Sequence, residues 1–102
     1  MSLLEKITLN EQLANIGIEV YRMKRWENDP RYFEASFSRA LDLLMRIIEL
    51  NKNKSGALKE LVRLKTLLID AYTGGKEFDT KLDDLLKYFD YFINKRLFYK
   101  YK

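Results

Sequence analysis

The side chains that could carry chemistry in this chain are carboxylates, because histidine and cysteine are both absent. Their absence removes zinc sites of the usual kind, thiol nucleophiles, imidazole acid–base catalysis and the common catalytic triads. Asp70, Asp83, Asp84 and Asp90 are left as residues that could hold a magnesium ion or move a proton. Asp83 and Asp90 fall two turns apart on one side of a helix with Lys87 between them, which is also the spacing of a surface salt-bridge row. The paired glycines Gly74-Gly75 invite comparison with a phosphate-binding loop, but no strand pattern precedes them and no Gly-Lys-Ser/Thr follows. The sequence is therefore read as non-enzymatic, with no catalytic residue, no metal ligand and no cofactor.

The elements that must position these residues are helices. Apolar residues recur at three- and four-residue steps in four segments, about 9–27, 30–50, 56–72 and 80–98, within a single domain spanning 1–102. In the first, Thr8 and Glu11 have capping-box spacing, Leu9, Leu13, Ile16, Val20 and Met23 form the seam, and Gly17 implies a close helix crossing. In the second, Asp29 and Pro30 suit the N-cap and first helical positions, and Phe33, Phe37, Ala40, Leu44 and Ile47 form a stripe widened by Leu41 and Ile48. Its opposite side carries Arg39, Asp42, Arg46 and Glu49, expected to pair across successive turns in water. This second segment is the longest and richest in apolar residues, so it is expected to organise the others.

Ser55 is expected to cap the third helix after the polar loop that starts at Asn51, and Thr73-Gly74-Gly75 to end it. Thr80, with Asp83 at capping-box spacing, is expected to open the fourth, whose seam is Leu82, Leu85, Leu86, Phe89, Phe92, Ile93 and Leu97. Four amphipathic helices with short connections and no strand signal predict an all-α, up-and-down antiparallel four-helix bundle. The alternative is a three-helix core with a docked or exchanged fourth helix. No apolar run approaches the ~20 residues of a membrane span, and the N-terminus lacks signal-peptide order, so a cytoplasmic protein without a membrane partner is expected.

Two surfaces could bind. Aromatic residues crowd the fourth helix beyond what one small bundle face can bury, and with Trp26 at the first hairpin corner they give a candidate partner interface of Trp26, Tyr88, Tyr91, Phe98, Tyr99 and Tyr101. Trp26 could instead close the end of the core. The occupant is expected to be a second copy, as a homodimer, or another protein. Basic residues concentrate in the second half: residues 1–50 carry seven basic and eight acidic side chains, a net −1, while residues 51–102 carry twelve and seven, a net +5. Lys52, Lys54, Lys59, Arg63, Lys95, Arg96, Lys100 and Lys102 could follow a phosphate backbone while tyrosines stack on unpaired bases, the alternative of an accessory nucleic-acid binder.

The runs Glu11-Gln12-Leu13-Ala14-Asn15-Ile16-Gly17, Arg39-Ala40-Leu41-Asp42-Leu43-Leu44 and Leu58-Lys59-Glu60-Leu61-Val62-Arg63-Leu64-Lys65, continued through Asp70 and the Gly74 break, carry a resemblance. In order and spacing the chain resembles a group of roughly 100-residue uncharacterised all-helical proteins of bacteria and archaea, with no established activity. The resemblance implies a prokaryotic source and a self-contained domain, and supplies no site residue. The helix-hairpin pattern around Ala35 and Ala40 loosely resembles tetratricopeptide or MIT modules, without the internal repeat of the former. It also departs from the four-helix HEPN nucleases, whose arginine is followed by a histidine that this chain lacks.

Overall fold

A computed structural model describes residues 8–101, with side chains as far as Asn94. Among the described residues the chain forms four α-helices and no strand: α1 Leu9–Arg25, α2 Pro30–Leu50, α3 Ser55–Tyr72 and α4 Leu82–Tyr101. They build the up-and-down antiparallel four-helix bundle that the periodicity implied. Long-range contacts show the direction of each neighbour: Lys24 at the end of α1 meets Asp83 at the start of α4, and Phe33 near the start of α2 stacks on Tyr72 at the end of α3. The fourth helix is no appendage, since α4 packs along α1 as extensively as α2 does.

The organising helix is α1, which corrects the role assigned to α2. Leu13, Ala14, Ile16, Gly17, Val20 and Met23 are all buried on α1, whereas on α2 only Ser36, Ala40, Leu44 and Ile47 are. The reason lies in side-chain size. Gly17 and Ala14 let α4 come so close that a Cβ built on Gly17 would stand 2.7 Å from the Cβ of Phe89 and 3.0 Å from Cδ1 of Ile93. Apart from Leu44 and Ile47, the large apolar residues of α2 lie at the edge of the core: Phe33, Phe37, Leu41 and Ile48 are half-buried against it. Phe37 stacks on Tyr72 with centroids 3.9 Å apart and Phe33 does so at 5.3 Å, so aromatic faces, rather than a deep seam, join α2 to α3.

Helix ends follow the expected chemistry in part. The Thr8 hydroxyl accepts from the Glu11 amide at 3.2 Å. Asp29 occupies the N-cap of α2 with Pro30 behind it, but its carboxylate makes no capping bond. Lys54, not Ser55, holds the N-cap position of α3, one residue earlier than expected. At the end of α2, Asn51 donates from its side-chain amide to the Ile47 carbonyl at 2.8 Å and is buried there. The α3 terminus is a Schellman turn: Gly75 donates to the Asp70 carbonyl at 2.7 Å and Gly74 to that of Ala71 at 3.2 Å, both glycines having positive φ.

The largest shift is at α4, which begins at Leu82 rather than at Thr80. Asp79 takes a left-handed conformation at φ 54°, the Thr80 amide and hydroxyl are both engaged by the Asp70 carboxylate, and the carbonyl that accepts the first helical bond is that of Lys81, from the Leu85 amide at 3.3 Å.

The Gly17 contact gives a stability prediction. Alanine would gain about 1 kcal/mol in helix propensity, but overpacking costs about 1–3 kcal/mol. Gly17→Ala is therefore expected to lower the free energy of unfolding by up to about 2 kcal/mol net, read as a lower urea midpoint, and a raised midpoint would contradict the close crossing. Leu44, fully buried, should cost about 3–5 kcal/mol on truncation to alanine. Phe37→Ala should cost less, because its ring is only half-buried, and the same titration ranks the two.

Candidate functional site

The carboxylates singled out from the sequence do not assemble into a site. Among the described residues no three acidic side chains gather at metal-binding spacing. Asp83 and Asp90 do not form a row with Lys87. They reach across to α1, where Asp83 pairs with Lys24 at 3.6 Å and Asp90 accepts a hydrogen bond from the Tyr21 hydroxyl. Asp84 stays exposed on the first turn of α4.

Asp70 has a different task. Its carboxylate is buried and accepts from the backbone amides of Glu77 at 2.9 Å, Phe78 at 3.2 Å and Thr80 at 3.0 Å. Burial alone would raise its pKa. The amides of Glu77, Thr80 and Phe78, with the Thr80 hydroxyl, outweigh burial and hold the carboxyl below its usual range. A carboxylate whose two oxygens are taken by three amides is a fastener for the α3–α4 loop, not a metal ligand or an acid–base group.

That loop presents a surface. Leu64, Leu67, Phe78, Leu85 and Tyr88 line a groove of about 290 Å³ between α3 and α4, with Glu60, Arg63, Asp79, Thr80 and Asp84 around it. The groove exists because α3 and α4 are the least closely packed neighbours in the bundle. Phe78 is 58% exposed and Tyr91 62%, the most exposed large apolar side chains described. Tyr91 meets Phe92 edge-on at 5.1 Å, and Phe92 meets Tyr88 at 5.4 Å, so the aromatic surface continues along α4. Burial, then the Glu60 charge and hydrogen bond, push the Tyr88 hydroxyl up to about 12, with Arg63 opposing. Asp79 and Asp84 form no ion pair with another described residue and leave the rim acidic.

Of the residues expected to bind a partner, Tyr88 lines this groove, and Tyr91 is exposed about one turn further along α4. Trp26 lies elsewhere, at the α1–α2 corner, its ring tilted 33° against that of Tyr32 with centroids 4.9 Å apart and with Arg25 5.7 Å from its ring centroid. It is 38% exposed and does not close the core. The side chains of Phe98, Tyr99 and Tyr101 lie outside the described part of α4. Phe78 was missed by sequence reading, where a lone aromatic between Glu77 and Asp79 gave no periodic signal.

The basic residues do not form a described stripe. Lys52 pairs with Glu49 at 2.8 Å and Arg63 with Glu60 at 3.7 Å, while Lys54 and Lys59 are exposed. Lys95, Arg96 and Lys100 are beyond the described side chains, and Lys102 is beyond the described residues.

A second groove, of about 490 Å³, runs between α1 and α2 and is lined by Asn15, Ile18, Glu19, Arg22, Arg39, Asp42, Leu43 and Arg46. Glu19 is buried in its floor and is held by Arg22 and by Nε of Arg39 at 2.8 Å. The expected row of charges along α2 does not form: Arg39 turns to Glu19 and Glu49 to Lys52, because partners on α1 and in the next loop lie within reach. Glu19 was also missed. Its signal was an acid at the edge of the α1 seam with Arg22 three residues on.

No described helix is long and apolar enough to cross a membrane. Comparison of the chain with protein-family models, curated proteins and solved structures finds no match.

The Asp70 geometry predicts a pH dependence. Because its folded pKa is depressed, its contribution to stability is complete above the ordinary carboxylate pKa of about 4 and is lost as pH falls through the lower folded value. Asp70→Asn should lower the thermal midpoint at neutral pH, and the gap to the parent should narrow as the pH falls below the ordinary carboxylate range. A gap independent of pH would contradict the charged fastener. Tyr88 should titrate near 12 in an ultraviolet pH titration.

Proposed function

We propose that the chain is a non-enzymatic protein-interaction module that receives an apolar helical segment of a partner protein in the α3–α4 groove. The observation that carries this reading is the apolar lining of the groove by Leu67, Phe78, Leu85 and Tyr88, set where two helices of the bundle pack least closely. A partner helix would complete the missing packing, its apolar ridge entering between α3 and α4 as an added helix enters a groove. The unpaired Asp79 and Asp84 at the rim favour a ridge flanked by lysine or arginine over one flanked by acids. Apolar burial supplies the affinity, and the charges set orientation and partner choice.

Two synthetic helical peptides with the same leucine ridge, one flanked by lysines and one by glutamates, test the reading by fluorescence polarisation. The lysine peptide is expected to bind at least about tenfold more tightly, a difference of about 1.4 kcal/mol. Phe78→Asp, at an exposed position, should abolish that binding while leaving the denaturation midpoint unchanged. Equal binding of both peptides, or binding that survives Phe78→Asp, would refute the groove as the docking site.

A further inference from the structure

The outward face of α2 carries Arg39, Asp42, Arg46 and Glu49 in alternating sign. Asp42 and Arg46 stand symmetrically about Leu44, and so do Arg39 and Glu49. A copy of α2 laid antiparallel across a twofold axis at Leu44 therefore puts an opposite charge against each of the four. Such an arrangement is isologous and closed, the commonest symmetry of small assemblies. A parallel copy in the same register would set like charge against like.

The pairing state of these residues is the second observation. Asp42 and Arg46 have the i, i+4 spacing and the acid-first order that favour a pair within one helix, yet neither pairs with any described residue. Arg46 instead lines one end of the α1–α2 groove, and Arg39 with Arg22 lines the other. Arg22 and Arg39 keep about half of their side-chain surface open, at 54% and 53%, although both hold Glu19. Arg39 and Arg46 are two helical turns apart, about 10.5 Å. Glu49 and Asp42 are separated by the same number of residues, so carboxylates on a second copy match the cationic ends of the groove in spacing as well as in sign.

We propose that this face is where the chain associates with a second copy of itself. The partner's Glu49 meets Arg39 and the partner's Asp42 meets Arg46, each contact made twice by the symmetry, with Met45, 49% exposed, and the half-buried Leu43 supplying apolar contact near the axis. Glu49 is shared with Lys52, which lies on its own chain. Exposed ion pairs are individually weak and screened by salt, so the dimer is concentration-dependent and dissociates as salt rises. This surface lies on other helices than the α3–α4 groove and does not depend on it.

Sedimentation velocity of the full chain over a concentration series at low salt tests the proposal. The parent is expected to shift with concentration toward twice the 12.3 kDa chain mass, and to return to the monomer at high salt. Asp42→Arg and Arg46→Asp should each be monomeric alone, since each sets like charges together across the axis. An equimolar mixture of the two should dimerise again, because the heterodimer restores both opposite-charge contacts, and the double exchange Asp42→Arg with Arg46→Asp should dimerise by itself. Circular dichroism confirms that each variant keeps its helices, all substitutions being at exposed positions. A parent that stays monomeric throughout, or a dimer that survives both single reversals, would overturn the proposal. Phe78→Asp should leave the dimer intact, so failure of the groove reading and failure of this one are separate results.

Discussion

The close contact of α1 with α4 at Gly17 constrains the rest of the bundle. With Ala14 one turn earlier, it leaves room for the Phe89 side chain and for Ile93 directly against the α1 backbone. Because dispersion falls steeply with separation, a backbone approach of this kind makes α1–α4 a preferred pair, and α2 packs along α1 as well, with Ile16, Val20, Leu44 and Ile47 in the shared core. The result is a tight sheet of three helices with α1 in the middle. The fourth place in the bundle falls to α3.

The position of α3 is set differently on its two sides. Toward α2 it is joined by the stacking of Phe33 and Phe37 on Tyr72. Toward α4 the helix packing is thin, and the join is covalent and electrostatic: the loop from Thr73 to Lys81, closed by a Schellman turn and gripped by the Asp70 carboxylate. A buried charge satisfied by three amides can fix a loop without drawing the helices together. An apolar groove opens along α3–α4 for that reason, and Phe78 stands at its mouth. The two proposed surfaces thus have different origins. One is the loose side of the bundle, and the other is the solvent side of α2, where charge order carries the information.

Much of this was legible in the residues, and the parts that were not share a physical cause. Seams at three- and four-residue steps, Gly17 inside α1 and the glycine pair after Thr73 are local or nearly local signals, and each maps onto the bundle. The central helix was misread because apolar content does not measure depth. The big side chains of α2 fill the boundary, while the small ones of α1 permit the approach that buries it. Asp70 was unreadable as an anchor, since its partners lie seven to ten residues away and meet it only after chain reversal. Of Glu19's two partners only Arg22, three residues on, was local, while Arg39 lies twenty residues away and arrives by helix packing. The late start of α4 has the same root: Thr80 looks like a cap until the Asp70 carboxylate engages its hydroxyl as well as its amide. Of the residues that line the α3–α4 groove, Tyr88 was singled out by counting surplus aromatics, and Phe78 required the loop.

Amide hydrogen exchange of the native chain, resolved residue by residue, most directly tests the arrangement of a tight three-helix layer with α3 added to it. Opening free energies report the packing of each segment. The expected result is slowest exchange for Ile16 to Val20 on α1 and for the Phe89 turn of α4, with α3 from Leu61 to Leu68 opening earlier as a unit. Protection in α3 equal to that of α1, or protection centred on α2 alone, would contradict it.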